Sequence, residues 1–317
     1  MVEPFIAVRG VVKSFGHKKA VDGVSFSVNK GDVLGVLGPN GAGKTTTMRM
    51  LVGVLRPDAG DVAVCGHSLG SHRRRAQAHI GYLPEGAPLY GDLSPRLFLQ
   101  FCGRARGMGK AVLKKRLEYV EERLHLGDVR HQAIDTLSKG YRRRVGLAQA
   151  ILHDPDALIL DEPTDGLDPM QKHDVRELIS ALSSEKAIVI STHILEEVDA
   201  VCTRAAVIAK GKMLFDGTPG EFIGRHPHHG AVRLLLGASA REEGVVERLK
   251  ELAGVTRVER ETDDKGRPEY WVFSSDAART VSRVAGCAHD EKWEVRGVTV
   301  EKGSADEVFR SVVSKAA

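Results

Sequence analysis

Cysteine is scarce: the chain of 317 residues has four, Cys65, Cys102, Cys202 and Cys287, widely separated and with no CxxC pair. Such scatter reads as reduced thiols of a cytosolic protein and argues against a disulfide framework or a zinc motif. Aromatic residues make up only 5%, too few for a stacking platform that holds single-stranded nucleic acid. An excess of one charge is also missing. Forty-six basic side chains against 42 acidic ones leave a net charge of +4, so a strongly basic nucleic-acid binder is not expected. No stretch approaches the roughly 20 apolar residues of a membrane span. The segment Met1 to Gly10 lacks the basic-then-apolar pattern of a signal peptide. What is abundant is glycine, 34 residues, on an ordinary globular background of 42% hydrophobic residues.

The apolar run Val33-Leu34-Gly35-Val36-Leu37 reads as a buried strand, and a periodic segment from Lys44 to Leu55 reads as a helix that Arg56-Pro57-Asp58-Ala59-Gly60 ends. A strand follows at Asp61 to Val64. From about Gly86 to Gln149 the period is helical, with Leu97, Phe98, Phe101, Leu113, Leu117, Val120 and Leu124 at three- and four-residue steps. Buried-strand runs return at Ala157–Leu160 and Ala187–Ser191, separated by a helix to Leu182. Strands alternating with helices predict a mostly parallel sheet. A polar, Gly- and Pro-bearing stretch at 225–230 reads as a linker. Beyond it, 231–317 carries strands at Val232–Leu236, Val255–Arg260, Tyr270–Ser274 and Trp293–Thr299, and helices at Glu242–Leu252, Ala277–Ala285 and Ser304–Val313, a small βαββαβ unit of α+β class with Trp271 and Trp293 in its core.

Between the first buried strand and its helix lies Gly38-Pro39-Asn40-Gly41-Ala42-Gly43-Lys44-Thr45, followed by Thr46. It matches the phosphate-loop pattern in full. Glycines permit positive φ and close approach, and successive N–H groups form an anion nest at a helix N-terminus. Lys44 adds a point charge for β- and γ-phosphates, and Thr45 a hydroxyl for Mg²⁺. The strand Ala157–Leu160 ends in Asp161-Glu162, an adjacent acidic pair that is costly unless partnered. Asp161 suits a metal, and Glu162 a general base that orients water. Ser191-Thr192-His193 ends the next apolar strand, where a histidine can bond a γ-phosphate.

Leu137-Ser138-Lys139-Gly140-Tyr141, standing before the acidic strand and opening a helix, resembles the signature sequence of the nucleotide-binding subunits of ABC transporters. The resemblance covers about residues 4 to 224. It implies an α/β fold with a P-loop NTPase, RecA-like core, an antiparallel β subdomain and an inserted α-helical subdomain. It implies ATP hydrolysis with Mg²⁺, the metal held through Thr45, Glu85 and Asp161, and catalysis by Lys44, Glu162 and His193. Phe15 sits where the family stacks an aromatic on adenine, and Glu85 where the family usually has Gln. Gly166-Leu167-Asp168 resembles the dimer-contact loop.

In that family two copies sandwich ATP between one phosphate loop and the other signature. The resemblance therefore implies a homodimer in which Ser138 and Gly140 serve the partner's ATP. It also implies a separate membrane permease, with a coupling helix docking near Pro84 to Phe101, and a place on the inner face of the cell membrane. Leu-Pro-Glu, Leu-Ser-Lys-Gly-Tyr and Thr-Asp-Gly-Leu-Asp-Pro resemble ATPases of ABC-2-type exporters, similar to the gliding-motility and nitrous-oxide-reductase-maturation kind. The alternative is a soluble ABC-type ATPase acting on ribosomes or DNA; a single phosphate loop and the short span from 44 to 161 weigh against it. Lys139, in place of the usual Gly, would add positive charge near the phosphates. The triplets Arg73–Arg75 and Arg142–Arg144 read as solvated helix faces, and His226, His228 and His229 as part of a flexible linker rather than metal ligands.

Overall fold

The computed structural model describes residues 3–237, 243–263 and 265–315. These form two compact units, one running to Pro219 and including the end of the last helix from Val312, the other Gly220–Ser311.

In the first unit β1 (Ile6–Phe15), β2 (Lys18–Val28) and β3 (Val33–Leu37) precede α1 (Lys44–Leu51). Then come β4 (Ala59–Val64), β5 (His67–Ser68), α2 (Arg73–Ala78) and β6 (Ile80–Leu83). The helices α3 (Pro95–Ala105), α4 (Lys110–Arg123) and α5 (Lys139–Ile151) follow. The unit continues with β7 (Ala157–Asp161), α6 (Pro169–Ser183), β8 (Ala187–Thr192), α7 (Leu195–Val201), β9 (Arg204–Ala209), β10 (Lys212–Gly217) and the start of α8 (Pro219–Ile223). Helix α1 stops short of Leu55 because Gly53 takes φ 70°, the left-handed turn that closes a helix C-terminus.

Two sheets result. One is antiparallel, in the order β2-β1-β4-β5; the other runs β10-β9-β3-β8-β7-β6 and is parallel except for β10. Every residue of β3, β7 and β8 is buried, as a parallel sheet covered on both faces requires. Alternation along β7 sorts its side chains. Leu158 and Leu160 join the core under α3, α4 and α5, whereas Ala157 and Ile159 join the core shared by α1 and the antiparallel sheet. This is a P-loop NTPase fold with a β subdomain and a helical subdomain on opposite faces.

Not every periodic apolar position of the helical segment reaches this core. Phe98 and Leu99 are buried, but Leu97 is 55% and Phe101 51% exposed, beside an exposed Tyr90 whose ring meets Phe101 edge-on at 5.7 Å.

The second unit contains β11 (Val232–Leu236), α9 (Val245–Lys250), β12 (Val255–Thr262), β13 (Pro268–Ser274), α10 (Ala277–Asp290), β14 (Val295–Val300) and most of α11 (Ala305–Lys315). The expected helix start at Glu242 lies outside the described residues. The sheet is antiparallel, in the order β12-β13-β11-β14, a split βαβ arrangement. Trp271 is buried on β13 and Trp293 packs against the unit's core.

The stretch 225–230, read as a linker, is instead held inside this unit. Gly230 N donates to Glu301 O at 2.8 Å and His226 Nε2 lies 2.6 Å from Glu307 Oε2. His228 stacks on Trp271 at 4.1 Å. Polar composition misleads here because the imidazoles find carboxylate and aromatic partners.

Gly81 marks the tightest fit between α5 and the sheet. A Cβ there would stand 2.2 Å from Ala150 O and 2.6 Å from Leu158 Cδ2, and backbone cannot yield as a side chain can. Gly81→Ala is expected to cost about 2 kcal/mol or more by overpacking, read as a lowered urea midpoint.

Candidate active site

Strands β6, β7, β8 and β3 are adjacent and parallel, so their C-terminal ends open on one edge. The register pairs Leu83 with Leu160, Asp161 with Ser191, and Leu37 with Thr192. The loops leaving these ends carry Glu85, Glu162, His193 and the Gly38–Gly43 turn. They meet at a pocket of about 400 Å³ lined by Pro39, Asn40, Gly41, Gly43, Lys44, Thr45, Thr46, Glu85, Glu162 and Phe15. Lys18 and Ala20 of β2 line it as well. Both follow Phe15 closely in sequence and carry no motif of their own.

The turn depends on glycine for space. Gly43 caps α1 at φ 108°, and a Cβ there would stand 2.3 Å from Ala20 O. A Cβ on Gly38 would stand 2.3 Å from Ile208 O. Ala42, beside them, is buried. Lys44 Nζ folds over the turn and donates to Gly38 O at 2.6 Å and Pro39 O at 3.3 Å. Burial holds its ammonium below the usual lysine value, against the pull of Glu162, Asp161 and Glu85. A cation this poorly solvated beside free N–H groups is matched by a polyanion.

Asp161 is 1% exposed. Oδ1 accepts from Ser191 Oγ, whereas Oδ2 is buried with no hydrogen-bond partner. Burial pushes its carboxyl above the usual range and the Glu162 charge adds to this, while Ser191 and Thr45 pull the other way. An orphaned carboxylate oxygen with Thr45 beside it and Glu85 in the same pocket is the donor set of a hard divalent cation, and the residues fit Mg²⁺.

Glu162 departs from the strand at φ 50°, an uncommon value for a non-glycine residue. Its N–H is held by Ser191 O at 3.1 Å and Ser191 Oγ at 3.2 Å, and its Oε1 lies 3.1 Å from His193 Nδ1. The imidazole, about half exposed, thus faces the carboxylate, although neither His193 nor Asp161 itself lines the pocket.

Ser138, Gly140 and Asp168 do not line this pocket. Ser138 caps α5 by accepting from Tyr141 N, and Asp168 caps α6 by accepting from Gln171 N at 2.9 Å. Gly140 is buried against Gln171, whose Oε1 would stand 2.2 Å from an added Cβ. Lys139 points to Asp165, with Nζ 2.9 Å from Oδ2, and this bond holds the Asp165 carboxyl below its usual range. Its charge is thus paired within its own chain.

Two further residues tie the strand ends together. Arg143, expected on a solvated face, is 5% exposed. Its Nε donates to Pro163 O at 3.2 Å, one terminal nitrogen to Pro84 O at 3.2 Å, and the other to Asp161 O at 2.5 Å and to Glu162 O. The signal was present: Arg143 falls three residues after Gly140 and four before Leu147, all on the buried stripe of α5. Its neighbours differ, Arg142 being exposed and Arg144 pairing with Asp174 at 2.9 Å. Glu197, 3% exposed on α7, accepts from Thr164 Oγ1 and from Thr192 Oγ1, the latter at 2.8 Å.

Removing Arg143 strands several buried carbonyls. Arg143→Met is expected to cost about 3 kcal/mol in urea unfolding, and Arg143→Lys, which cannot span three bearings at once, restores less than half of it.

Comparison with known proteins agrees with this geometry. The ABC transporter family pattern matches residues 21–165. Over 221 residues the chain is 41% identical to Nod factor export ATP-binding protein I of Ralstonia nicotianae, covering 69% of each. It is 42% identical over 211 residues to YhcH, an uncharacterized ABC transporter ATP-binding protein of Bacillus subtilis, covering 66% of this chain and 68% of that one. Among solved structures, an ATP-binding subunit of an ABC transporter superposes with a TM-score of 0.66 at 26% identity, over 70% of this chain and 92% of the other. The dimeric ATP-binding cassette MJ0796, solved with ADP and Pi, shares the fold at a TM-score of 0.63 and 19% identity, over 68% of this chain and 98% of that one. With its phosphate loop, acidic strand end and signature helix in place, the chain belongs to the ATP-binding subunits of ABC transporters, enzymes that hydrolyse ATP.

Proposed function

We propose that this chain is the motor of an ABC exporter: two copies close on two ATP molecules and drive a separate membrane permease from its inner face. The observation that carries this reading is the position of Ser138 and Gly140 outside the pocket that Lys44, Thr45 and Phe15 line. One chain offers only one face of the nucleotide site, and a second copy would supply the other with its signature helix. Asp168 would then stand in the contact between copies. Export as the direction is supported by the relatives named for Nod factor export.

The chain's own residues account for the chemistry. The N–H groups of Gly41 and of Gly43 to Thr46 and the Lys44 ammonium receive the β- and γ-phosphates, and Phe15, exposed at the pocket rim, stacks on adenine. Mg²⁺, held by Thr45, Asp161 and Glu85, would neutralise charge on the transferring phosphoryl group. Glu162 orients the attacking water and accepts its proton, and His193 fixes Glu162 and reaches the γ-phosphate. Exposed Tyr90, Leu97 and Phe101 supply an apolar seat for the permease near Glu85.

Glu162→Gln is expected to bind ATP normally, to turn over at least about 100-fold more slowly, and to accumulate as a dimer in size-exclusion chromatography with ATP. Wild-type turnover in this variant refutes the assignment of Glu162. Ser138→Arg is expected to block the ATP-dependent dimer while leaving monomer affinity for a fluorescent ATP analogue within about twofold, since Ser138 lies away from that copy's own pocket. Loss of monomer binding refutes the composite site.

A further inference from the structure

The opposite edge of the parallel sheet carries a second cluster. His79 immediately precedes β6 and Asp156 immediately precedes β7, so both stand at the N-terminal ends of strands whose C-terminal ends face the nucleotide pocket. Cys65 follows β4 in the tight turn that joins it to β5 within the antiparallel sheet. We propose that Cys65, His79 and Asp156 form a binding site for a thiophilic divalent cation, Zn²⁺, which ties the antiparallel sheet to the entry of β6 and β7.

The geometry carries the proposal. One donor atom from each of the three residues lies within 4.8 Å of the others, and all three residues are partly buried. Each comes from a different stretch of chain and is anchored by backbone bonds. Cys65 N donates to Phe5 O at 2.8 Å, and Ala157 N donates to His79 O at 3.0 Å, which locks His79 beside Asp156. His79 Nδ1 and Asp156 Oδ2 are 2.6 Å apart, so a cation held by both residues would replace the hydrogen bond between them. A further imidazole is at hand, the His67 ring lying 5.7 Å from that of His79.

The donor set selects the metal. Thiolate, imidazole and carboxylate together suit Zn²⁺, whereas Mg²⁺ and Ca²⁺ take oxygen ligands. Bonds of about 2.0–2.3 Å in a tetrahedron separate donors by about 3.3–3.8 Å, so spacings that run from 2.6 Å up to 4.8 Å need changes of up to about 1.5 Å. A reactive redox thiol is the weaker account of Cys65. Burial and the Asp156 carboxylate push this thiol up to about 11, away from thiolate character in the metal-free chain. Its scattered position in sequence hides the site because 65, 79 and 156 meet only in the fold.

The test uses tag-free full-length protein without nucleotide, titrated with Zn²⁺ alone against a chromophoric chelator and, separately, with Co²⁺. The expected result is one metal per chain, a raised melting temperature, and a sulfur-to-cobalt charge-transfer band in the near ultraviolet. Cys65→Ser abolishes the band, and both Cys65→Ser and His79→Gln weaken Zn²⁺ binding by about tenfold or more. Basal ATP hydrolysis in Cys65→Ser stays at the wild-type rate. Failure to bind one Zn²⁺ per chain, or wild-type affinity in both variants, overturns the proposal. His79→Gln leaves the thiol in place, so it remains an independent test if Cys65→Ser does not fold.

Discussion

The nucleotide pocket depends on one costly placement, the Asp161 carboxylate at the end of a strand that is otherwise wholly apolar and buried. A charge in such a position is unfavourable without partners. The fold offsets the cost from every side. Ser191, opposite it in register, donates to one oxygen; Thr45 stands beside it; Arg143 donates to its backbone carbonyl. One carboxylate oxygen is left without a donor. That residual demand would be met by a divalent cation beside Thr45, close to the helix terminus and lysine that suit phosphates.

Around that point the structure is cross-braced by buried side chains bonding to backbone or to hydroxyls. Arg143 links the start of the signature helix to the carbonyls on both sides of Glu162 and to the loop that carries Glu85. Glu197 joins Thr164, two residues after Glu162, to Thr192, next to His193. Because the core of the sheet is close-packed, a shift at any of these ends is passed on as a displacement of its neighbours rather than absorbed. The signature helix, the acidic pair and the histidine are therefore linked through side-chain hydrogen bonds. Glu162, held at positive φ, is the strained member among them.

The second unit is built by a different rule. The alternating residues Val232, Leu234 and Leu236 of β11 face the helices, and Arg233 lies on the other side of the sheet, where it pairs with Glu269 and stands over Trp271. That outer face is thus filled with charge–aromatic contacts, including His228 on Trp271, which a half-exposed antiparallel sheet permits and a buried parallel one does not.

Strands β1, β6, β9 and β10 are not picked out in the sequence, whereas the central strands β3, β7 and β8, the phosphate loop, the acidic pair and the signature helix are legible there. Each is a local pattern: a run of buried β-branched residues, glycines at fixed offsets, a serine cap ahead of a helix. Local rules of backbone and side chain suffice for these. Packing between distant segments settles that Arg143 bonds the carbonyls of Asp161 and Glu162, that Lys139 pairs with Asp165, that Leu97 and Phe101 stay exposed, and that Cys65 meets His79 and Asp156. Each of these depends on which face of an element is covered by a segment distant in sequence. Helical period assigns a residue to a stripe, but only packing tells whether that stripe meets solvent, a carbonyl or a charge.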